Sequence, residues 1–126
     1  MNENKSFMDL EAWQKCRDLR RKTWMLCKTF PEIEVFRLSD QMIRASRSAT
    51  ANIAEGYGRF NYQENIQYCR MSRGSLHELR DHLSTAEECN YISNEEYNSI
   101  DALIISCLRL TNGYINYLIR QKRESK

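Results

Sequence analysis

One proline and four glycines in 126 residues leave little turn material, which argues against an all-β chain needing many tight turns. No apolar run approaches the roughly 20 residues of a membrane span; the most apolar stretch is residues 103–108. The first eleven residues lack the cationic and then apolar order of a signal peptide, so a cytoplasmic location with no membrane partner is expected. The five cysteines are odd in number and include no C-x-x-C pair, which sets aside a disulfide framework and a zinc knuckle. Cys16 and Cys107 fall on apolar stripes and read as small buried hydrophobes. Histidine is nearly missing too: His77 and His82 are five residues apart and do not converge on one helix face.

What remains is helical periodicity. Leu10, Trp13, Cys16, Leu19, Thr23, Leu26 and Phe30 recur every three or four residues, predicting a helix from about Asp9 to Thr29 that Pro31 stops. A second helix is expected from about Phe36 to Glu55, on Leu38, Met42, Ala45, Ala49 and Ile53. Ser39 or Asp40 would help start it, and Gly56 and Gly58 would end it in the left-handed conformation. A third, from about Tyr62 to Cys89, carries Ile66, Cys69, Ser72, Leu76, Leu79, Leu83 and Ala86, with Gly74 inside it and Asn90 as its stop. A fourth opens at Ser93 or Asn94, with Glu95 and Glu96 in its first turn, where carboxylates suit the helix dipole. Short connections between long helices predict an all-α antiparallel up-down four-helix bundle, a single domain over residues 1–126 with flexible ends at about 1–8 and 122–126. The fourth helix also shows a second apolar stripe, Leu103, Leu110, Tyr114 and Tyr117. It implies either self-association or a wide core face.

The stretch from Ser48 to Glu64 combines small residues, Asn52, Glu55, Gly56, Gly58 and Arg59. A phosphate loop would need a third glycine, a lysine and a preceding strand. A packing joint fits better: Ala45, Ser48, Ala49 and Asn52 would meet Gly74 and Ser75 of the third helix, which would explain a mid-helix glycine. Asn52, if buried, would bridge helices or satisfy a loop carbonyl. Glu55 would pair with Arg59, or with Arg44 or Arg47.

The net charge of +2 is small, but residues 1–30 hold seven Lys or Arg against four Asp or Glu. Arg17, Arg21, Trp24 and Lys28 share a stripe of the first helix, widened by Arg20 and Lys22. Arg44 and Arg47 sit on the second helix, and Arg70, Arg73, His77 and Arg80 on the third. Arginine forks suit phosphate, and Trp24 suits an unpaired base, so these are the candidate nucleic-acid contacts. The same residues also fit a solvated face with ion pairs such as Asp18–Lys22 and Asp40–Arg44. Chemistry is harder to assemble. Glu78 and His82 lack a third ligand, and Ser75 lacks a nucleophile turn, so no metal, cofactor or catalytic residue is expected.

Five pieces in order carry a resemblance: F-x-x-L-x-x-W-Q at Phe7, Leu10, Trp13 and Gln14; F-P-x-x-E at Phe30, Pro31 and Glu34; L-x-x-Q at Leu38 and Gln41; N-I-A-E-G-x-G-R from Asn52 to Arg59; and G-S-L-x-E-L from Gly74 to Leu79. The N-I-A-E-G-x-G-R piece is the most specific. With them, from about Phe7 to Leu118, the chain resembles the four-helix-bundle family encoded by intervening sequences within bacterial 23S rRNA genes, often labelled ribosomal-protein-like. It departs at Ser48-Ala49-Thr50-Ala51, where the family often has serine-isoleucine-proline-serine, so no proline kink is carried over. The resemblance implies a ring-like homopentamer. It also implies a relationship to the accessory proteins of diversity-generating retroelements, which bind nucleic acid and a reverse transcriptase through a similar, positively charged pentamer. RNA or another nucleic acid, and a reverse-transcriptase-like or other protein, are therefore the expected partners. A protein-interaction scaffold with no nucleic-acid contact is the alternative.

Overall fold

The structure is a computed structural model that describes residues 6–125. Four helices, α1 (Glu11–Cys27), α2 (Leu38–Tyr57), α3 (Tyr62–Glu88) and α4 (Asn94–Glu124), follow one another, with short 3-10 turns at Phe7–Asp9 and Glu32–Glu34. Each packs on its neighbours in sequence, and α1 closes the square against α4, leaving α1 and α3 on a diagonal. The pairing is antiparallel: Gly56 approaches Asn65, Ala49 meets Ser72 and Ser48 meets Ser75, so the index rises on α3 as it falls on α2. This is the expected four-helix bundle. The ends expected to be flexible lie partly outside the described residues. Of the rest, residues 7–9 form a turn and α4 runs through Glu124.

The stripes read from the sequence form the core. Leu19, Met42, Ile53, Leu76, Leu79, Leu83 and Ile104 are buried together from all four helices. A smaller cluster of Ile66, Cys69, Ile115 and Leu118 closes the α3–α4 end, with Tyr114, Tyr117 and Ile119 against it. Leu103, Leu110 and Tyr114 of the second α4 stripe lean half-buried on the main core.

Local chemistry explains most of the boundaries. Ser93 and Glu96 make a reciprocal capping box at the start of α4. Asn61 accepts from the Glu64 amide at 2.9 Å to cap α3. Asn90 takes a left-handed φ of 62°, and the Tyr91 amide donates back to the Ala86 carbonyl at 3.0 Å, a Schellman-type stop. At the entrance of α1, Phe7 stacks edge-on against Trp13 at 5.2 Å and the Gln14 side-chain amide donates to the Met8 carbonyl at 2.8 Å.

Three expectations are corrected. Neither Ser39 nor Asp40 starts α2; Ser39 is buried inside the helix, and the Glu34 carboxylate accepts from the Leu38 amide at 3.2 Å. Gly56 and Gly58 do not adopt the left-handed region. That conformation falls on Phe60, with φ 55°, after Gly58 has stayed right-handed. Gly74 is not a packing notch, because it is exposed and an added β-carbon there would meet nothing within 4 Å.

Candidate nucleic-acid interface

In the N-I-A-E-G-x-G-R segment, Asn52, Glu55 and Arg59 each have a side-chain partner. A β-carbon on Gly56 would stand 2.7 Å from Asn65 Oδ1 and 2.9 Å from the Tyr68 β-carbon, so the crossing of α2 and α3 requires glycine here. Arg59 pairs with Glu55 at 2.9 Å, donates to the Tyr68 hydroxyl at 2.8 Å and lies over the Tyr68 ring at 5.0 Å. The Tyr68 phenol, and then Glu55 and Glu64, hold the Arg59 guanidinium above its ordinary pKa. Arg44 and Arg47 do not compete for Glu55. Asn52 bridges no helices; its amide donates to the Ser48 carbonyl and hydroxyl on its own helix, both at 2.9 Å. Ser48 makes the crossing, with its Oγ 2.9 Å from Ser75 Oγ, and the Ser72 hydroxyl donates to the Ala49 carbonyl at 2.7 Å. The packing joint is therefore real, but it is seated on Ser72, Ser75 and Gly56 and not on Gly74.

The basic residues divide into three groups. Along α1, aromatic rings and cations alternate on the side facing α2. The Arg17 and Arg20 guanidinium carbons lie 5.3 and 5.9 Å from the Trp13 ring centre, and Lys28 Nζ lies 5.2 Å from that of Trp24. Arg47 reaches across from α2 to stand 5.8 Å from the same Trp24 centre, and Arg20 donates to Thr50 Oγ1 at 3.0 Å. The two helices thus merge Arg17, Arg20, Trp24, Lys28 and Arg47 into one face, with Arg44 exposed three residues before Arg47 on α2. Trp24 is 45% exposed within it. Of the acids nearby, Asp18 sits 3.7 Å from Arg17, and Asp40 only 3.9 Å from Arg44. The expected Asp40–Arg44 pair is present, while Asp18 turns to Arg17 instead of Lys22.

Arg21 does not share that face. It is one residue, about 100°, from Arg20, and with Lys22 it lines a groove of about 580 Å³ between α1 and α4, opposite Glu95 and Glu96. The α3 set is separate again. Arg73 donates to Asn112 Oδ1 at 2.9 Å, and Arg80 grips Asp101 at 2.7 and 3.3 Å, which raises its pKa. Both therefore serve the α3–α4 seam, and Arg70 and His77 are exposed on the same helix. Tyr68 and Thr50 are the contributors that sequence spacing did not single out. Thr50 sits four residues before Ala54 in a small-residue run, and only the crossing of α1 over α2 brings it to Arg20.

His82 Nε2 lies 3.3 Å from Glu78, and among the described residues no three His, Cys, Asp or Glu side chains gather to hold a metal ion. Four cysteines are buried and Cys89 is exposed. Burial pushes Cys27 up to about 11 and Cys69 up to about 12. Among the described residues no helix is long and apolar enough to cross a membrane.

The fold is shared with a solved protein of unknown function from the S23 ribosomal protein family of Bacteroides thetaiotaomicron VPI-5482. That likeness has a TM-score of 0.77 at 23% identity, over 83% of this chain and 95% of the other. No curated relative matches the chain. The sequence model of the family described as 23S rRNA-intervening sequence protein matches residues 8–113, a span that holds α1, α2, α3, the Asn52–Arg59 segment and the larger part of α4, and the chain belongs to that family.

Proposed function

We propose that the chain is a non-enzymatic, self-associating four-helix bundle that binds RNA or another nucleic acid through the α1–α2 face. The observation that carries this reading is the convergence of Lys28 and Arg47 from two helices on the exposed Trp24. Arg17, Arg20 and Arg44 extend the cationic surface on either side, and the surrounding acids leave it in cationic surplus. Phosphate contact is the chemistry such a surface offers, because guanidinium groups donate two parallel hydrogen bonds to an anionic oxygen pair.

Self-association is supported by apolar surface that one chain leaves open. Phe36 is 91% and Phe60 92% exposed, and Ile105 is exposed on α4. A five-membered ring would repeat the α1–α2 face around an axis and sum its field. Light scattering tests the assembly: five times the chain mass is expected, and a monomer would contradict it.

Anisotropy titration of a labelled single-stranded RNA at two salt concentrations tests the binding. Contact with about three to five phosphates predicts a log–log salt slope of about −2 to −3.5. Absence of binding at low salt would overturn the reading. Phe36 and Phe60 also suit a second reading, a scaffold for a protein partner without nucleic-acid contact. That reading predicts the same assembly and no salt-dependent RNA binding.

A further inference from the structure

We infer that the α1–α2 face selects nucleic acid with unpaired bases, one base taking the place of a cation on the Trp24 ring. This rests on the nucleic-acid reading above and names its ligand class.

The argument starts from the two tryptophans of α1. Trp13 is buried, with the Arg17 and Arg20 guanidiniums over its ring, so it offers no open face. Trp24 is open, and its two cations differ in how they are held. Lys28 is four residues on, at the C-terminal cap of the same helix, and ends in a flexible four-carbon stem. Arg47 comes from α2, which the Arg20–Thr50 hydrogen bond ties to α1 beside it. No carboxylate pairs with either cation among the ion pairs of the described residues. A phosphate arriving at this face therefore meets an ammonium whose only partner is the ring. Drawing Lys28 off the ring satisfies the phosphate and bares the indole.

A bared indole is a stacking platform for a base face, worth about 1–3 kcal/mol per base. A duplex cannot use it, since its base faces are already stacked on one another. A duplex would gain only the phosphate contacts. The arrangement thus gives the strand with free bases an advantage that neither a duplex nor a bare polyanion can claim.

The test compares three labelled probes of equal phosphate number on the full chain: an oligouridylate, a duplex, and an abasic sugar–phosphate strand. The oligouridylate is expected to bind roughly 5- to 150-fold tighter than the abasic strand, the range one stacked base supplies. Trp24→Ala should erase that ratio, while Trp24→Phe should retain part of it. Lys28→Ala with Arg47→Ala should weaken all three probes. Equal affinity for oligouridylate and abasic strand, or a ratio that survives Trp24→Ala, would overturn this inference while leaving phosphate binding standing. Failure of every probe to bind at low salt would overturn the nucleic-acid reading itself.

Discussion

Gly56 lies so close to Asn65 that a β-carbon on the glycine would stand 2.7 Å from the Asn65 side-chain oxygen and 3.1 Å from its backbone carbonyl. The backbone cannot yield cheaply on either side, because both residues are buried in the α2–α3 crossing. Gly56→Ala is therefore expected to cost about 1–3 kcal/mol through overpacking. At about 4 °C per kcal/mol for a chain this long, the loss is readable as a lowered Tm. Gly74→Ala should do the opposite. That position is exposed, helical and open, so alanine gains about 0.5–1 kcal/mol. A thermal melt of both variants beside the wild type checks the pair, and a destabilised Gly74→Ala would show an unseen contact on α3.

This contrast also marks what sequence can and cannot carry. Spacing pointed to Gly74 as the packing glycine and read Gly56 as a helix end. Which one is crossed by another backbone depends on the rotation and register of α2 against α3, and no local pattern encodes that. The Ser93 cap and the Asn90 stop were legible because capping is settled within a few residues. The start of α2 was not, because its cap is supplied by Glu34 through a turn, with Ser39 already in the core. The basic residues were legible as residues but not as a site. Arg20 joins the α2-facing row and Arg21 leaves it, a division set by where α2 and α4 flank α1.

Glu34 links the two connections at one end of the bundle. Its carboxylate accepts from the Tyr91 hydroxyl at 2.7 Å and from the Leu38 amide at 3.2 Å. The Tyr91 bond first, and then the Leu38 amide, hold its pKa below the usual 4.5, and Tyr91 is pushed up to about 12 by the same contact. A carboxylate with a depressed folded pKa stabilises fully above its unfolded value. The contribution disappears as pH falls through the folded value. Urea midpoints should therefore drop between pH 7 and pH 3 more steeply in the wild type than in Glu34→Gln. Identical slopes would place the acid sensitivity elsewhere.

Thiol labelling reads the core directly. Cys16, Cys27, Cys69 and Cys107 are buried and Cys89 alone is exposed. Burial raises Cys27 and Cys69 well above the ordinary thiol range, so little thiolate exists there near neutral pH. A maleimide at pH 7 should add once to the native protein and to none of the Cys89→Ser variant. All five sites should label after denaturation. Mass spectrometry counts the additions, and a second native adduct would show that a core helix opens.

Charge reversal on two helices tests the functional account most directly. Arg47 faces Trp24 on the α1–α2 side, whereas Arg73 is engaged with Asn112 on the α3–α4 side. With a single-stranded RNA probe at low salt, Arg47→Glu should lower affinity at least about tenfold and flatten the salt dependence by more than one phosphate's worth. Arg73→Glu should stay within about twofold of wild type, both variants being folded by circular dichroism. Comparable losses in the two, or a larger loss in Arg73→Glu, would contradict the assignment of the α1–α2 face.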